Sequence, residues 1–279
     1  MATPVDQLAA LLRDHRRWFV LTGAGVSTQS GIPDYRDDNG DWKRPQPVRY
    51  ADFMRSPEVR RRYWARSMVG WPKFRIAHVG AAHRALADLE HAGSVDLLLT
   101  QNVDRLHQQA GSERVVDLHG RLDEVACQQC QQRTPRDAFQ RELTLANPAY
   151  AALDAGQAPD GDADLTDVDL DGFRVPDCAA CGGLLKPDVV FFGERVPPER
   201  VDLAFEKLDA AEAMLVVGSS LMVWSGFRFA RHAAQAGKPL VIINRGRTRA
   251  DELATLKWEA DCGDALSQLI DVAQIERTG

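Results

Sequence analysis

Five short runs in the chain are apolar at almost every position: Trp18–Thr22, Val95–Thr100, 115–118, 214–217 and Leu240–Ile243. None alternates between apolar and polar residues, so each reads as a strand buried on both faces. Between them the apolar residues return every third or fourth position, as in 81–92 and 227–236. That is the period of a helix with one face on a core. Val5, Leu8, Leu11 and Leu12 have the same spacing, and 265–275 is a charge-poor segment that reads as a packed helix. Buried strands separated by helices predict a parallel sheet covered on both sides, the Rossmann-like, doubly wound α/β class. No internal repeat interrupts this order.

Two stretches break the rhythm. Residues 43–75 hold ten Lys and Arg against Asp52 and Glu58, a local charge of +8. Residues 120–185 hold twelve Asp and Glu against five Arg, a local charge of −7, together with four of the five cysteines. Both read as insertions that build a smaller second unit, partly helical and partly metal-binding. The expected division gives 1–42, 85–122 and 186–279 to the sheet unit and 43–84 and 123–185 to the smaller one. A length of 279 residues with 44% hydrophobic and 27% charged positions is enough for a full core and excludes a disordered chain or a disulfide scaffold. No stretch approaches the ~18 consecutive apolar residues of a membrane helix. The N-terminal residues lack the basic and apolar segments of a secretory signal, so a cytoplasmic location is expected.

Cys127 and Cys130 are separated by two residues, and Cys178 and Cys181 repeat that spacing after an interval of 47. In a reducing compartment such cysteines bind metal more often than they pair. Four thiolates suit a closed, tetrahedral, structural Zn²⁺ site. The acidic balance of this segment would repel phosphates, so no direct nucleic-acid partner is expected. Asp167, Asp169 and Asp171-Gly172 match the opening of a calcium loop. Cys178 stands where the bidentate Glu is needed, so a solvated acidic loop is the expectation.

The first apolar run ends in Gly23-Ala24-Gly25-Val26-Ser27, with Gly31-Ile32-Pro33-Asp34-Tyr35-Arg36 soon after. A glycine-rich turn between a first strand and a helix lets backbone N–H groups approach a pyrophosphate. The spacing is not G-x-G-x-x-G, and no strand ending in an acid follows about twenty residues on, so the loop alone fits a bare tight turn equally well. Other runs also end in polar groups: Gln101-Asn102-Val103-Asp104, His119-Gly120, Gly218-Ser219-Ser220 and Asn244. Parallel sheets bind ligands at their carboxyl ends, so these clusters are expected to line one nucleotide site. His107, in the helix-like stretch 104–110, reads as a satisfied structural histidine. His119, at a strand end before a glycine, is the expected acid–base residue.

Taken in order, these motifs, the paired cysteines, Lys186-Pro187-Asp188-Val189-Val190-Phe191-Phe192-Gly193-Glu194 and Gly218-Ser219-Ser220-Leu221 resemble the motif series of the sirtuins. The resemblance covers residues 18 to about 270. Tyr63-Trp64-Ala65-Arg66, Gly70-Trp71-Pro72 and Ala158-Pro159-Asp160-Gly161-Asp162 are similar to the class II, mitochondrial sirtuin-four-like branch, in a bacterial member. It implies NAD⁺-consuming removal of acyl groups from protein lysine, with nicotinamide and O-acyl-ADP-ribose released. His119 would act as general base on a ribose hydroxyl, and Asn102 would position ribose and water. Gln101 would hold a ribose hydroxyl and Asp104 the nicotinamide carboxamide. Gly23, Ala24, Gly25, Ser27, Asp34, Tyr35, Arg36, Val103, Gly218, Ser219 and Ser220 would complete the cofactor site. Asn244, Arg245, Gly246 and Cys262 would lie at its adenosine end. Val190, Phe191, Phe192 and Gly193 would run along the substrate peptide, which can add as a strand. Tyr63 and Arg66 resemble a pair that selects acidic acyl groups, although an exposed basic helix face explains them as well. Protein mono-ADP-ribosylation, removal of bulky or acidic acyl groups, and non-catalytic binding of NAD and zinc stand as alternatives.

Overall fold

The computed structural model describes residues 2–43, 46–153, 161–163, 165 and 168–278. Residues 158–160 of the branch-specific motif, and Asp167 of the calcium-like loop, lie outside the described residues. In the first half the elements are α1 (Pro4–Asp14), β1 (Trp18–Thr22), α2 (Tyr50–Arg55), α3 (Pro57–Phe74), α4 (Ala81–His91), β2 (Val95–Thr100), α5 (Leu106–Gln109), β3 (Val115–Asp117) and β4 (Gly120–Cys127). There follow β5 (Arg133–Pro135), α6 (Arg136–Ala146), β6 (Leu185–Val189), α7 (Pro198–Ala210), β7 (Ala213–Val217), α8 (Trp224–Gln235), β8 (Leu240–Ile243), β9 (Leu256–Trp258) and α9 (Cys262–Thr278).

The apolar runs form a six-stranded sheet in the order β3-β2-β1-β7-β8-β9, parallel throughout. Every residue of β1, β7 and β8 is buried, because helices cover both faces. Leu8 of α1, Leu86 of α4 and Leu266 and Leu269 of α9 pack on one face. Leu208 of α7 and Phe229 and Ala233 of α8 pack on the other. The chain builds outward from β1 through β2 to β3, then returns to β7 on the opposite edge of β1. That reversal opens a crevice at the carboxyl end of β1, where such sheets bind ligands.

Local details differ from the sequence reading. The run expected at 115–118 stops at Asp117, and the helix expected at 227–236 begins at Trp224. The helix-like stretch 104–110 contracts to the single turn α5, because Arg105 takes a left-handed φ of 65° and starts the helix late. Strand β9 was not anticipated: it is three residues long with Lys257 at its centre, too short and too polar to stand out as an apolar run.

A second, antiparallel sheet has the order β5-β4-β6. Its core gathers Phe53, Tyr63, Trp64, Phe139, Leu143 and Phe191. The basic and acidic stretches meet here: Arg61 lies 3.4 Å from Asp171 and Arg66 lies 3.9 Å from Asp162. Their opposite local charges therefore offset each other across one interface. Buried Arg136 sits 5.5 Å from the Trp64 ring and 5.1 Å from the Trp71 ring, as a cation between two aromatic faces. β4 starts immediately after His119, and the Val190 N–H donates to the His119 carbonyl at 2.8 Å. The two sheets thus join at the backbone of the predicted base.

Candidate active site

At the carboxyl ends of β1, β2, β7 and β8 lies a cavity of about 580 Å³. Its floor is the crossing of two glycine turns. Gly25 N–H donates to the Gly218 carbonyl at 2.8 Å, and Gly218 has φ +61°. A Cβ on Gly218 would stand 2.5 Å from the Val26 nitrogen, so the turn after β7 requires glycine to reach the turn after β1. Gly23, Ala24, Gly25, Ser27, Gly218, Ser219 and Ser220 all line the cavity.

The cluster after β2 is wired to these turns. Gln101 Nε2 donates to Ser219 Oγ at 2.7 Å. Asn102 Nδ2 donates to the Gly23 carbonyl at 3.1 Å and to Ser27 Oγ at 3.0 Å. Ser27 Oγ donates to Asp104 Oδ2 at 2.7 Å, and the Leu106 N–H donates to Oδ1 at 2.9 Å. Burial nonetheless raises the Asp104 carboxyl above its usual range, with those hydrogen bonds opposing the shift. Val103 also lines the cavity.

His119 enters from the end of β3. Its Nδ1 lies 3.1 Å from the Gln101 carbonyl oxygen and its Nε2 lies 2.8 Å from Ser225 Oγ. A carbonyl only accepts, so the neutral ring carries its proton on Nδ1 and keeps the Nε2 lone pair for a donor. Burial, with Arg228 and Arg200 adding to it, lowers the imidazole to about 4 against the opposing hydrogen bond to the Gln101 carbonyl. His107 is fully buried, and its Nε2 lies 2.9 Å from Thr22 Oγ1. Its Nδ1 has no hydrogen-bond partner among the described residues, so this structural histidine is satisfied on one side only. It stacks edge-on against His83 at 4.8 Å.

Asn244, Arg245 and Cys262 line the far end, where Arg245 pairs with Asp261 at 2.9 Å. The Cys262 thiol is pushed up to about 12 by burial, which removes it from thiolate chemistry. Gly246 is not among the lining residues and packs instead against Asp38. The segment after the first glycine turn folds over the mouth. Asp34 pairs with Lys43 at 2.5 Å, and the Arg36 guanidinium lies 4.0 Å from the Trp42 ring. Trp42 in turn meets Tyr35 at 6.2 Å and Phe192 at 5.6 Å. Asp34, Tyr35 and Arg36 all reach the cavity, held there by a tryptophan the sequence reading did not single out.

The sirtuin resemblance implies that residues 190–193 run along the substrate peptide. Strand β6 ends at Val189, and the segment beyond it bends along the cavity wall with one isolated bridge from Phe192 to Arg49. The bend is set by Glu194, which accepts from the Phe191 N–H at 2.8 Å and from Lys186 Nζ at 3.1 Å. All four residues line the cavity, and Phe191 also belongs to the apolar cluster that includes Phe53, Tyr63 and Trp64. Tyr63 lines the cavity and packs on Phe191 at 5.2 Å. Arg66 does not: its Nε donates to the Ala163 carbonyl at 3.0 Å, on the side facing Asp162.

Apart from the cavity, the Sγ atoms of Cys127, Cys130, Cys178 and Cys181 all lie within 4.8 Å of one another. Cys127 and Cys181 are 3.5 Å apart, and Cys130 and Cys178 are 3.8 Å apart. Zn–S bonds of about 2.3 Å at a tetrahedral centre put the sulfurs about 3.8 Å apart, so the cluster has the size of a zinc site. Backbone N–H groups of Cys130 and Gln129 lower the Cys127 thiol, while the hydrogen bonds among the thiols raise Cys181, so the four sulfurs titrate as one group.

The sequence reading missed Ser225, Asp261 and Trp42. Ser225 follows the motif that ends at Leu221 by four positions, and nothing local marks it. Asp261 is adjacent to Cys262 and carried the better signal, an acid beside a residue already assigned to the site.

Comparison with known proteins places this geometry. The Sir2 family profile matches residues 23–225. A protein of Xanthomonas campestris pv. campestris (strain 8004) named "NAD-dependent protein deacetylase" is 62% identical over 273 residues, which cover 96% of this chain and 93% of that protein. One of the same name from Bordetella bronchiseptica is 58% identical over 266 residues, covering 95% and 97%. A solved structure described as "Sir2-p53 peptide-NAD+" superposes with a TM-score of 0.80 at 30% identity, covering 97% of this chain and 99% of that one. Another, "Structure of Sir2Tm bound to a propionylated peptide", gives 0.77 at 31% identity, covering 98% and 100%. With the profile spanning most of the chain and the relatives matching it nearly end to end, the chain belongs to the Sir2 family, the sirtuins.

Proposed function

We propose that the chain is an NAD⁺-dependent protein-lysine deacylase that transfers the acyl group to ADP-ribose and releases nicotinamide. The observation that carries this reading is the convergence of His119, Gln101, Asn102 and Asp104 on one cavity beside the crossed glycine turns. The donor set fits a dinucleotide: amides and hydroxyls at the strand ends, and a volume of about 580 Å³. NAD⁺ supplies the electrophilic ribose carbon that accepts the acyl oxygen. The chain's own residues bind, orient and move protons. Gly23, Ala24, Gly25, Ser219 and Ser220 receive the phosphates and neighbouring groups. Gln101 and Asn102 orient the ribose, Asp104 holds the carboxamide, and Asn244 meets the adenosine ribose, near Arg245, Gly246 and Cys262. His119 takes the proton of a ribose hydroxyl at Nε2. Val190–Gly193 flank the acylated lysine. The four cysteines hold one structural Zn²⁺, and the smaller unit (43–84 and 123–185) closes the cleft against the nucleotide-binding unit. No described helix is long and apolar enough to cross a membrane. A cytoplasmic location belongs to the same proposal. The class II branch is part of the same reading.

The acyl preference follows from Arg66. Its guanidinium faces Ala163 and Asp162 outside the cavity, so neutral acyl chains are favoured over acidic ones. Incubation with NAD⁺ and a panel of acyl-lysine peptides, read by mass spectrometry, tests both points. Acetyl and longer aliphatic groups should be removed at least tenfold faster than succinyl or glutaryl groups. Release of nicotinamide with no deacylated peptide, and label from NAD⁺ retained on protein, would favour mono-ADP-ribosyl transfer. Tight NAD⁺ binding with no nicotinamide release would leave only a binding protein.

A further inference from the structure

His119 has a second partner that the proposed mechanism does not use. Ser225, in the first turn of α8, places its Oγ 2.8 Å from Nε2 and lines the cavity. Since Nδ1 carries the ring proton toward Gln101, the Ser225 hydroxyl is the donor and the imidazole lone pair the acceptor. A serine hydroxyl has one proton and two lone pairs. Here the proton is committed to Nε2, and among the described residues no donor reaches Oγ. The accepting side of Ser225 is therefore left for a hydroxyl that enters the cavity.

The rest of the turn is built around this contact. Arg228 Nε donates to the Ser225 carbonyl at 3.1 Å, which fixes the backbone beneath the hydroxyl. Gly226 follows, and a Cβ there would stand 2.5 Å from Gln101 Oε1. The same turn thus accommodates Gln101 and contacts His119, two residues that line the cavity. The charged groups facing the imidazole are Arg228 of α8 and Arg200 of α7, and both disfavour a proton on the ring. A base of that kind gains from a neighbour that shares the proton as it arrives.

We propose that Ser225 is a catalytic proton relay between a substrate hydroxyl and His119. The assignment rests on the deacylase reading above. In the step, the entering hydroxyl gives its proton to Ser225 Oγ, while the original Ser225 proton passes to His119 Nε2. One O–H bond breaks and one forms at Ser225, an N–H bond forms on the imidazole, and the substrate oxygen is left with the electron pair for its attack.

The test compares Ser225→Ala with Ser225→Thr, which keeps the hydroxyl. In the free protein, ¹⁵N NMR of the histidine rings should find His119 Nε2 unprotonated and hydrogen-bonded. The Ala variant should move it toward the value of a nitrogen with no donor, and the Thr variant should restore it. With NAD⁺ and an acetyl-lysine peptide, the Ala variant should lose ~100-fold in kcat, the lower end of general-base contributions. Its Kd for NAD⁺ should stay within twofold, and its solvent proton inventory should change from curved to linear. An Ala variant with wild-type kcat and a curved inventory would overturn the relay, as would an unshifted Nε2 resonance. A wild-type enzyme inactive on every acyl peptide would instead strike the deacylase reading and the relay with it, while the resonance still decides whether Ser225 bonds His119.

Discussion

Two histidines beneath the cavity carry a pH dependence of their own. His83 accepts from the Gly80 N–H at Nδ1 and reaches Ser27 Oγ with Nε2 at 3.4 Å, and His107 stacks on it at 4.8 Å. Burial lowers His83 from 6.5 to about 4, with Arg84 adding to it, and burial and His83 push His107 well below its ordinary value. Both rings are thus neutral in the fold and take up protons in the unfolded chain as the pH falls through 6.5. Folding stability should be at its full value above pH 6.5 and decline below it, by about 1.4 kcal/mol per pH unit for each histidine. The decline should level off for His83 near pH 4, where the folded ring also protonates. His119, also lowered to about 4 by burial, adds an equal share to the slope. Urea unfolding at pH 7.5, 6.0 and 5.0 measures that slope, and His83→Gln should remove about a third of it; an unchanged slope would discount the pair.

At the scale of elements, the decisive device is close approach at helix and strand ends. The glycine after Ser225 lets the first turn of α8 touch Gln101, whose side chain also donates to Ser219 and to the Thr22 carbonyl. Gly226→Ala should displace that amide and weaken NAD⁺ binding by ~10-fold, about 1.4 kcal/mol. The melting temperature should shift little, because the helix gains alanine's better propensity. Isothermal titration and a melting curve on the same variant separate the two effects. Much of this level was legible in the sequence: the five runs predicted the sheet and the side of it that binds. The bend at 190–193 was not, because Glu194 caps it through the Phe191 N–H and Lys186, contacts that apolar patterning does not encode.

At the scale of the molecule, β4 runs from Gly120, next to His119, to Cys127 in the metal cluster. The strand is a rigid link between the zinc site and the predicted base. Removing the metal should therefore reach the cavity although no cysteine of the cluster lines it. A chelator, or Cys127→Ser, should release about one zinc per chain and lower deacylation by more than tenfold. Hydrogen exchange should then speed up in β4, β5 and β6 while β1, β7 and β8 stay protected by their own buried core. Full activity in a zinc-free protein would refute the link. The union of basic α3 with the acidic segment belongs to the same scale, since Arg61 and Arg66 meet Asp171 and Asp162 from 110 and 96 positions away in the chain.

The sequence by itself determined the doubly wound sheet, the strand ends that make the cavity and the four-cysteine cluster. Each depends on a local pattern: unbroken apolar runs, the polar residues that end them, and thiols two residues apart. Tertiary structure alone decided which way Arg66 points, how His83 and His107 pair, and that Ser225 meets His119 across 106 residues. These are encounters between single side chains brought together by packing. A serine or an arginine in isolation carries no local signature of the partner that folding will give it.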